Sequence, residues 1–168
     1  LAVTRATQAI DTGSSAAAAA HTIAMNFWQL GGVVLFALSA VASILVPATL
    51  NALPSSGGGK NAAKRAADRM IGWGVVAGAC LAATQLLALP LLDLFTSVQD
   101  VRDAARAPAI IGALLQLLNG AAFVAEGIMQ GHAAFARLAV HAVLASAALL
   151  GSLHVMGHTL VGVWLSFG

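Results

Sequence analysis

The sequence has no tyrosine, one cysteine and very few charged side chains. Only 8% of its 168 residues are Asp, Glu, Lys or Arg, whereas 60% are hydrophobic, and the mean hydropathy is +0.89. Soluble domains carry roughly a quarter charged residues. The scarcity of charge therefore excludes an ordinary soluble domain and indicates an integral membrane protein.

Other shortages exclude several kinds of chemistry. The lone Cys80 excludes an intrachain disulfide and a metal cluster made of cysteines alone. The net charge of +2 is too small to indicate a nucleic-acid partner. Motifs of serine hydrolases, phosphate-binding loops, dinucleotide-binding folds and zinc proteases are missing. We therefore expect neither an enzyme nor a bound cofactor.

Four apolar segments are long enough to cross a bilayer core, which takes about 20 helical residues. The predicted spans cover about residues 18–50, 70–95, 107–130 and 133–153. Residues 51–69, with Pro54, three consecutive glycines and four basic residues, are the one clear linker. The sequence thus predicts an all-α membrane protein, a polytopic transmembrane helix bundle. Residues 1–168 form its single domain, with partial helices at both ends.

Basic residues orient these spans. The 51–69 linker holds four basic residues against one acid, Asp68, and the turn near 132–137 contains Arg137. Alternating spans place both connections on the same side of the membrane. The positive-inside rule makes that side cytoplasmic, or stromal in a plastid.

The most informative stretch is 116–131, QLLNGAAFVAEGIMQG, an apolar helix that contains a carboxylate. At about 100° per residue its polar groups and one phenylalanine share a stripe, formed by Gln116, Asn119, Phe123, Glu126 and Gln130. A charge in an apolar span usually faces a bundle interior or a water-filled cavity. Glu126 therefore either binds a proton, a cation or a cationic solute, or pairs with a buried donor and only holds helices together. The amides on the same stripe favour the first interpretation.

Histidines give two further candidates. His21 and Asn26 belong to a polar patch in the first span, which either contributes to the same cavity or marks the membrane interface. His154 and His158 are spaced i, i+4, but no third ligand is evident, so we expect no metal site.

Glycine spacing predicts close helix contacts. Gly74 with Gly78, and Gly127 with Gly131, are four residues apart, as in helices whose backbones approach closely. The abundance of glycine in this chain explains the spacing about as well.

Several stretches resemble multidrug and toxic-compound extrusion (MATE) transporters, especially the plant and algal branch related to the bacterial DinF type. AAHTIAMNFWQL, residues 19–30, resembles the opening of the eighth helix of that branch. Gln116, Asn119 and Glu126 fall where its tenth helix has a Gln-Pro-x-Asn segment that leads into an Asp-Gly pair. GHAAFARLA at 131–139 and GVW at 162–164 are similar to the next connection and the start of the last helix.

The resemblance covers about residues 16–168 and implies a C-terminal half, most of the second lobe of a twelve-helix transporter. It places the end of the seventh helix at residues 1–12 and reduces the twelfth helix to a stub. It implies an antiporter that exports organic solutes or xenobiotics in exchange for H⁺ or Na⁺ by alternating access. Its partners would be a small organic substrate, membrane lipid and the missing N-terminal half of the transporter.

The resemblance also implies roles for individual residues. Glu126 would bind the coupling ion or the solute, Gln116 and Asn119 would donate hydrogen bonds on the same wall, and His21 with Asn26 would contribute more weakly. Phe36 is a departure, because the family often has an Asp there.

An alternative interpretation is a small structural or accessory subunit of an integral membrane complex, with no transport activity of its own. An upstream reading frame that encodes six or more further spans would distinguish the two. For a plant- or alga-like protein we expect the plastid envelope, or otherwise the plasma or vacuolar membrane.

Overall fold

The computed structural model describes residues 15–52 and 58–167. Helices account for nearly all of these residues, and no strand occurs among them. In chain order the elements are α1 (Ser15–Asn51), α2 (Gly58–Leu87), a 3₁₀ turn (Leu89–Leu91), α3 (Leu92–Phe95), α4 (Gln99–Gly131), α5 (Phe135–Met156) and α6 (Leu160–Leu165).

Four helices, α1, α2, α4 and α5, are long and apolar enough to cross a membrane. The all-α polytopic fold predicted from the sequence is therefore confirmed. α6 has six residues and is too short to cross. The helix end predicted at residues 1–12 lies outside the described part of the chain.

Two boundaries differ from the predicted spans and linker. α2 begins at Gly58, so residues 58–69 of the predicted flexible linker are helical. That segment is rich in Ala, Lys and Arg, which favour helix. The predicted span 70–95 is not one helix, because α2 ends at Leu87 and a 3₁₀ turn and α3 follow. Pro90 has no backbone N–H and restricts the residue before it, which stops the longer helix.

α4 also begins earlier than predicted. It starts at Gln99 rather than 107 and continues through Pro108. The charged residues before Pro108 are compatible with helix, and Asp100 in the first turn favours a helix N-terminus. Because Pro108 has no backbone N–H, α4 lacks one internal hydrogen bond there, but the helix continues through this residue.

Contacts between α1 and α4 fix their relative direction. The amide of Gln116 bonds to Trp28, and Gly127 lies against Ser39. In both pairs the residue numbers differ by 88. The two helices therefore run parallel and stay in register.

α2 runs antiparallel to α4 and meets it backbone to backbone. A Cβ on Gly74 would overlap the carbonyl oxygen of Gly120, and one on Gly78 would overlap that of Gln116. From the first contact to the second, the residue number rises by four on α2 and falls by four on α4, so the two helices run antiparallel. The predicted close approach at Gly74 and Gly78 is thus confirmed.

The core lies between α1, α2 and α4. The end of the bundle where α2 starts, with its four basic residues between 60 and 69, is called the basic end. One cluster there joins all three helices through the buried residues Ala42, Val46, Ala63, Met70 and Val124. α5 packs at the edge and has no buried residue among those described. α6 adds the buried Trp164 to the other end of the bundle.

Gly74→Ala should lower the thermal stability of the protein in detergent, because the added methyl group overlaps the backbone of α4. Overpacking of this kind costs about 1–3 kcal/mol. Gly72→Ala is the matched control, since nothing lies within 4 Å of a Cβ there. Equal melting temperatures for the two variants would contradict the α2–α4 contact.

Candidate functional site

A groove of about 420 Å³ lies between α1 and α4. Its wall on α4 consists of Asn119 and Phe123, and Asn119 lies about 100° around that helix from Gly120, which contacts α2. Its lining therefore comes from α1 and α4, and no residue of α2 borders it in the described part of the chain. Its wall on α1 consists of Trp28, Gln29, Gly32, Val33 and Phe36.

An aromatic cluster closes one end of the groove. Trp28 meets Trp164 edge to face, with ring centroids 6.5 Å apart and planes at 88°. Phe167 packs against both indoles. Trp164 lies over Gly112, where a Cβ would come within 2.9 Å of the indole. Gly112 and Asn119 are seven residues apart on α4 and share a face, so the cluster lies next to the end of the groove that Trp28 lines, which we call its floor.

Glu126 lies beyond the other end of the groove. It is half-buried, and Gln130 Nε2 donates a 3.2 Å hydrogen bond to its Oε1. Glu126 is seven residues from Asn119, about 10 Å along the helix axis. The Gly74–Gly120 contact places it level with Asp68, in the basic part of α2. Glu126 thus stands at the basic end of the bundle, on the face that carries the groove.

Gln116 faces the backbone of α1 and not the groove. It is 0% exposed, and its Nε2 donates a 2.8 Å hydrogen bond to the carbonyl oxygen of Trp28. Gln85 on α2 donates in the same way to the carbonyl oxygen of Phe27, at 2.9 Å. A Cβ on Gly31 would overlap the Gln116 amide, so this glycine admits both glutamines. The two amides tie α2 and α4 to one turn of α1.

The two candidate residues of the predicted polar patch on α1, His21 and Asn26, have different surroundings. His21 is half-buried and packs edge to face against Trp164, with ring centroids 5.8 Å apart. Within the described residues its Nδ1 has no hydrogen-bond partner. Asn26 is exposed and does not line the groove. The structure therefore places His21 beside the floor of the groove and Asn26 outside it.

Sequence reasoning missed Gln85 and most of the α1 wall. The signal for both was the Gly31-Gly32 pair, since glycine on an apolar helix often marks a close approach or open space. Gly31 faces the two buried amides, whereas nothing lies within 4 Å of a Cβ on Gly32. No group of three or more His, Cys, Asp or Glu able to hold a metal ion occurs among the residues described.

The profile of the MatE family matches residues 9–154. The chain belongs to the MatE family. No curated protein and no solved structure gives a significant match. As a MatE protein with four apolar helices, it is an integral, multi-pass membrane protein and a transporter of the MATE type.

Gly31→Ala should destabilise this MatE protein, because the new methyl group displaces the Gln116 amide from the Trp28 carbonyl. Gln116→Ala should also destabilise it, by loss of the same hydrogen bond. In the double variant the two costs overlap, so the loss of stability should fall short of their sum by about 0.5 kcal/mol or more.

Melting temperatures of the detergent-purified variants give the measurement, and Gly32→Ala, at the neighbouring open position, is the control. Strictly additive losses would show that Gly31 and Gln116 do not act on each other.

Proposed function

We propose that the chain forms one lobe, the C-terminal half, of an antiporter that exports organic solutes in exchange for H⁺ or Na⁺. The groove between α1 and α4 carries this proposal. It would form half of the solute site, and a second lobe packed on the open side would complete the cavity. In transporters built of two related halves, the substrate lies at their interface and the halves rock about it.

The lining of the groove favours an aromatic or amphipathic solute. Trp28, Phe36 and Phe123 present rings, and two amides, those of Gln29 and Asn119, are able to donate and accept hydrogen bonds. The volume of about 420 Å³ lies within the range of about 300–1,000 Å³ that is usual for small-molecule pockets. Aromatic and apolar linings with a few polar groups are typical of sites that bind small organic molecules.

Glu126 is the proposed coupling group. It continues the groove face toward the basic end of the bundle, and its one described hydrogen bond is to Gln130. A carboxylate can bind H⁺ or Na⁺ and release it in another conformation. Such differential binding is what allows an ion gradient to bias alternating access. His21, beside the aromatic floor, would contribute to the solute end of the site, whereas Gln116 would act by holding α4 against α1.

The order and spacing of the matching stretches support the DinF-like plant and algal branch. We propose the plastid envelope as the membrane, or otherwise the plasma or vacuolar membrane.

Gly32→Ile tests the groove as the solute site. The side chain would enter space where no atom lies within 4 Å of the glycine Cβ position, so the fold should survive while the groove fills. We expect at least a tenfold loss of ion-gradient-driven solute flux in vesicles that contain the full-length protein, with an unchanged melting temperature. Gly151→Ile, on the exposed α5, is the matched control and should transport normally. Full flux through the Gly32→Ile variant would remove the groove from the mechanism.

Glu126→Gln tests the coupling group. The variant keeps the shape of the side chain but cannot exchange a proton or bind a cation by charge, so gradient-driven uptake should fall by an order of magnitude or more. Asp100→Asn is the control, because Asp100 is an exposed acid at the far end of α4. Retained coupling in the Glu126→Gln variant would exclude this carboxylate from ion exchange.

A further inference from the structure

One side of the first turns of α2 carries a concentrated positive charge. Lys60, Lys64, Arg65 and Arg69 are all exposed there. We propose that these four residues, the α2 basic face, bind anionic lipid head groups at the surface of the membrane. This contact is independent of the proposed solute site and coupling group.

The α2 basic face lies opposite the packed side of the helix. Ala63 and Met70 are buried against α1 and α4. At about 100° per residue the four cations cover the half of the circumference that faces away from these two residues. Their charges therefore point out of the bundle while the helix beneath them is held in place.

The inner part of the α2 basic face lies at the depth of the head groups. From Met70 to Leu87 the helix contains no charged residue, and these 18 residues span about 27 Å, close to the roughly 30 Å of a hydrocarbon core. Arg69 immediately precedes this apolar part, and Arg65 and Lys64 lie about 6–8 Å further out, within the thickness of the head-group layer. Lys60 lies about 14 Å out, beyond that layer, where the surface potential of an anionic membrane still acts on it. Long basic side chains at such a boundary extend into the head-group region.

No acidic side chain of the described residues forms a salt bridge with these four cations. The one salt bridge in the described part of the chain joins Arg102 to Asp93, at the opposite end of the bundle. Asp68 is the single acid on the α2 basic face, and no acid lies in the first turn of α2.

The spacing of the four cations creates a charge repulsion within α2, which an anionic membrane surface would reduce. Lys60 with Lys64, and Arg65 with Arg69, are like-charge pairs at i, i+4, which destabilise an isolated helix. The positive end of the helix dipole lies at the same terminus. Phosphate groups of anionic lipids supply the missing opposite charge, and basic clusters next to a transmembrane helix bind such lipids electrostatically.

The test uses the purified full-length protein in a neutral detergent, titrated with dioleoylphosphatidylglycerol or with dioleoylphosphatidylcholine. Native mass spectrometry gives the affinity for each lipid. We expect the wild type to prefer phosphatidylglycerol and to lose that preference as salt rises. The variant with Arg65→Gln and Arg69→Gln should lose about fivefold in affinity for each cation removed, while its affinity for phosphatidylcholine stays the same.

Two exposed single-residue controls make the result specific. Arg106→Gln removes a cation near the start of α4 and should leave phosphatidylglycerol binding unchanged. Asp68→Asn removes the acid from the α2 basic face and should strengthen binding. If the double variant does not fold, Lys60→Gln and Asp68→Asn, with opposite expected signs, replace it.

Equal affinity of the wild type for both lipids would overturn the proposal, as would phosphatidylglycerol binding that Arg65→Gln with Arg69→Gln leaves intact. An equal loss in the Arg106→Gln variant would also overturn it. If the four cations instead pair with an acidic protein segment, the wild type will bind phosphatidylglycerol no better than phosphatidylcholine.

Discussion

The close approach of α4 to its two neighbours determines the rest of this structure. Helices in a bilayer gain little from burying apolar surface against each other, so association depends on packing and on polar contacts between backbones. Gly120 brings α4 against Gly74 of α2, while Gly127 lets it rest on Ser39 of α1. The two contacts lie on nearly the same side of α4, and the residues that line the groove, Asn119 and Phe123, lie about 40–80° around the helix from Gly127, beside the contact with α1.

Hydrogen bonds from two buried amides add to the close helix contacts that the glycines allow. Gln85 and Gln116 both donate to carbonyl oxygens in one turn of α1, and Gly31 provides the room. An amide in hydrocarbon is costly unless it finds a partner, so these bonds specify which turns of the helices meet. The stripe of polar residues on α4 therefore has two parts. Gln116 holds helices together, whereas Asn119 faces the groove.

The sequence predicted the elements that depend on local composition. Apolar length predicted four membrane helices, and the family resemblance agrees with the MatE match. The helical start of α2 was missed because the glycine run suggested a flexible linker, although the Ala-, Lys- and Arg-rich stretch after it favours helix. The groove wall on α1 was also missed. In a helix that is apolar on every side, periodicity does not show which face meets a neighbour, so beyond the Gly31-Gly32 pair no pattern pointed to Val33 or Phe36.

The depth of Glu126 depends on helix register, which one sequence does not contain. Two contacts with α2 and α1 place it at the basic end of the bundle, about 10 Å from Asn119 along the axis. Phe36, where the family resemblance leads one to expect an acid, lines the groove with an aromatic ring. Under the proposed function, the charge and the solute would then occupy different parts of one face. The two would compete through the conformation of the lobe rather than by direct displacement, and the packing of α4 against α1 would connect them.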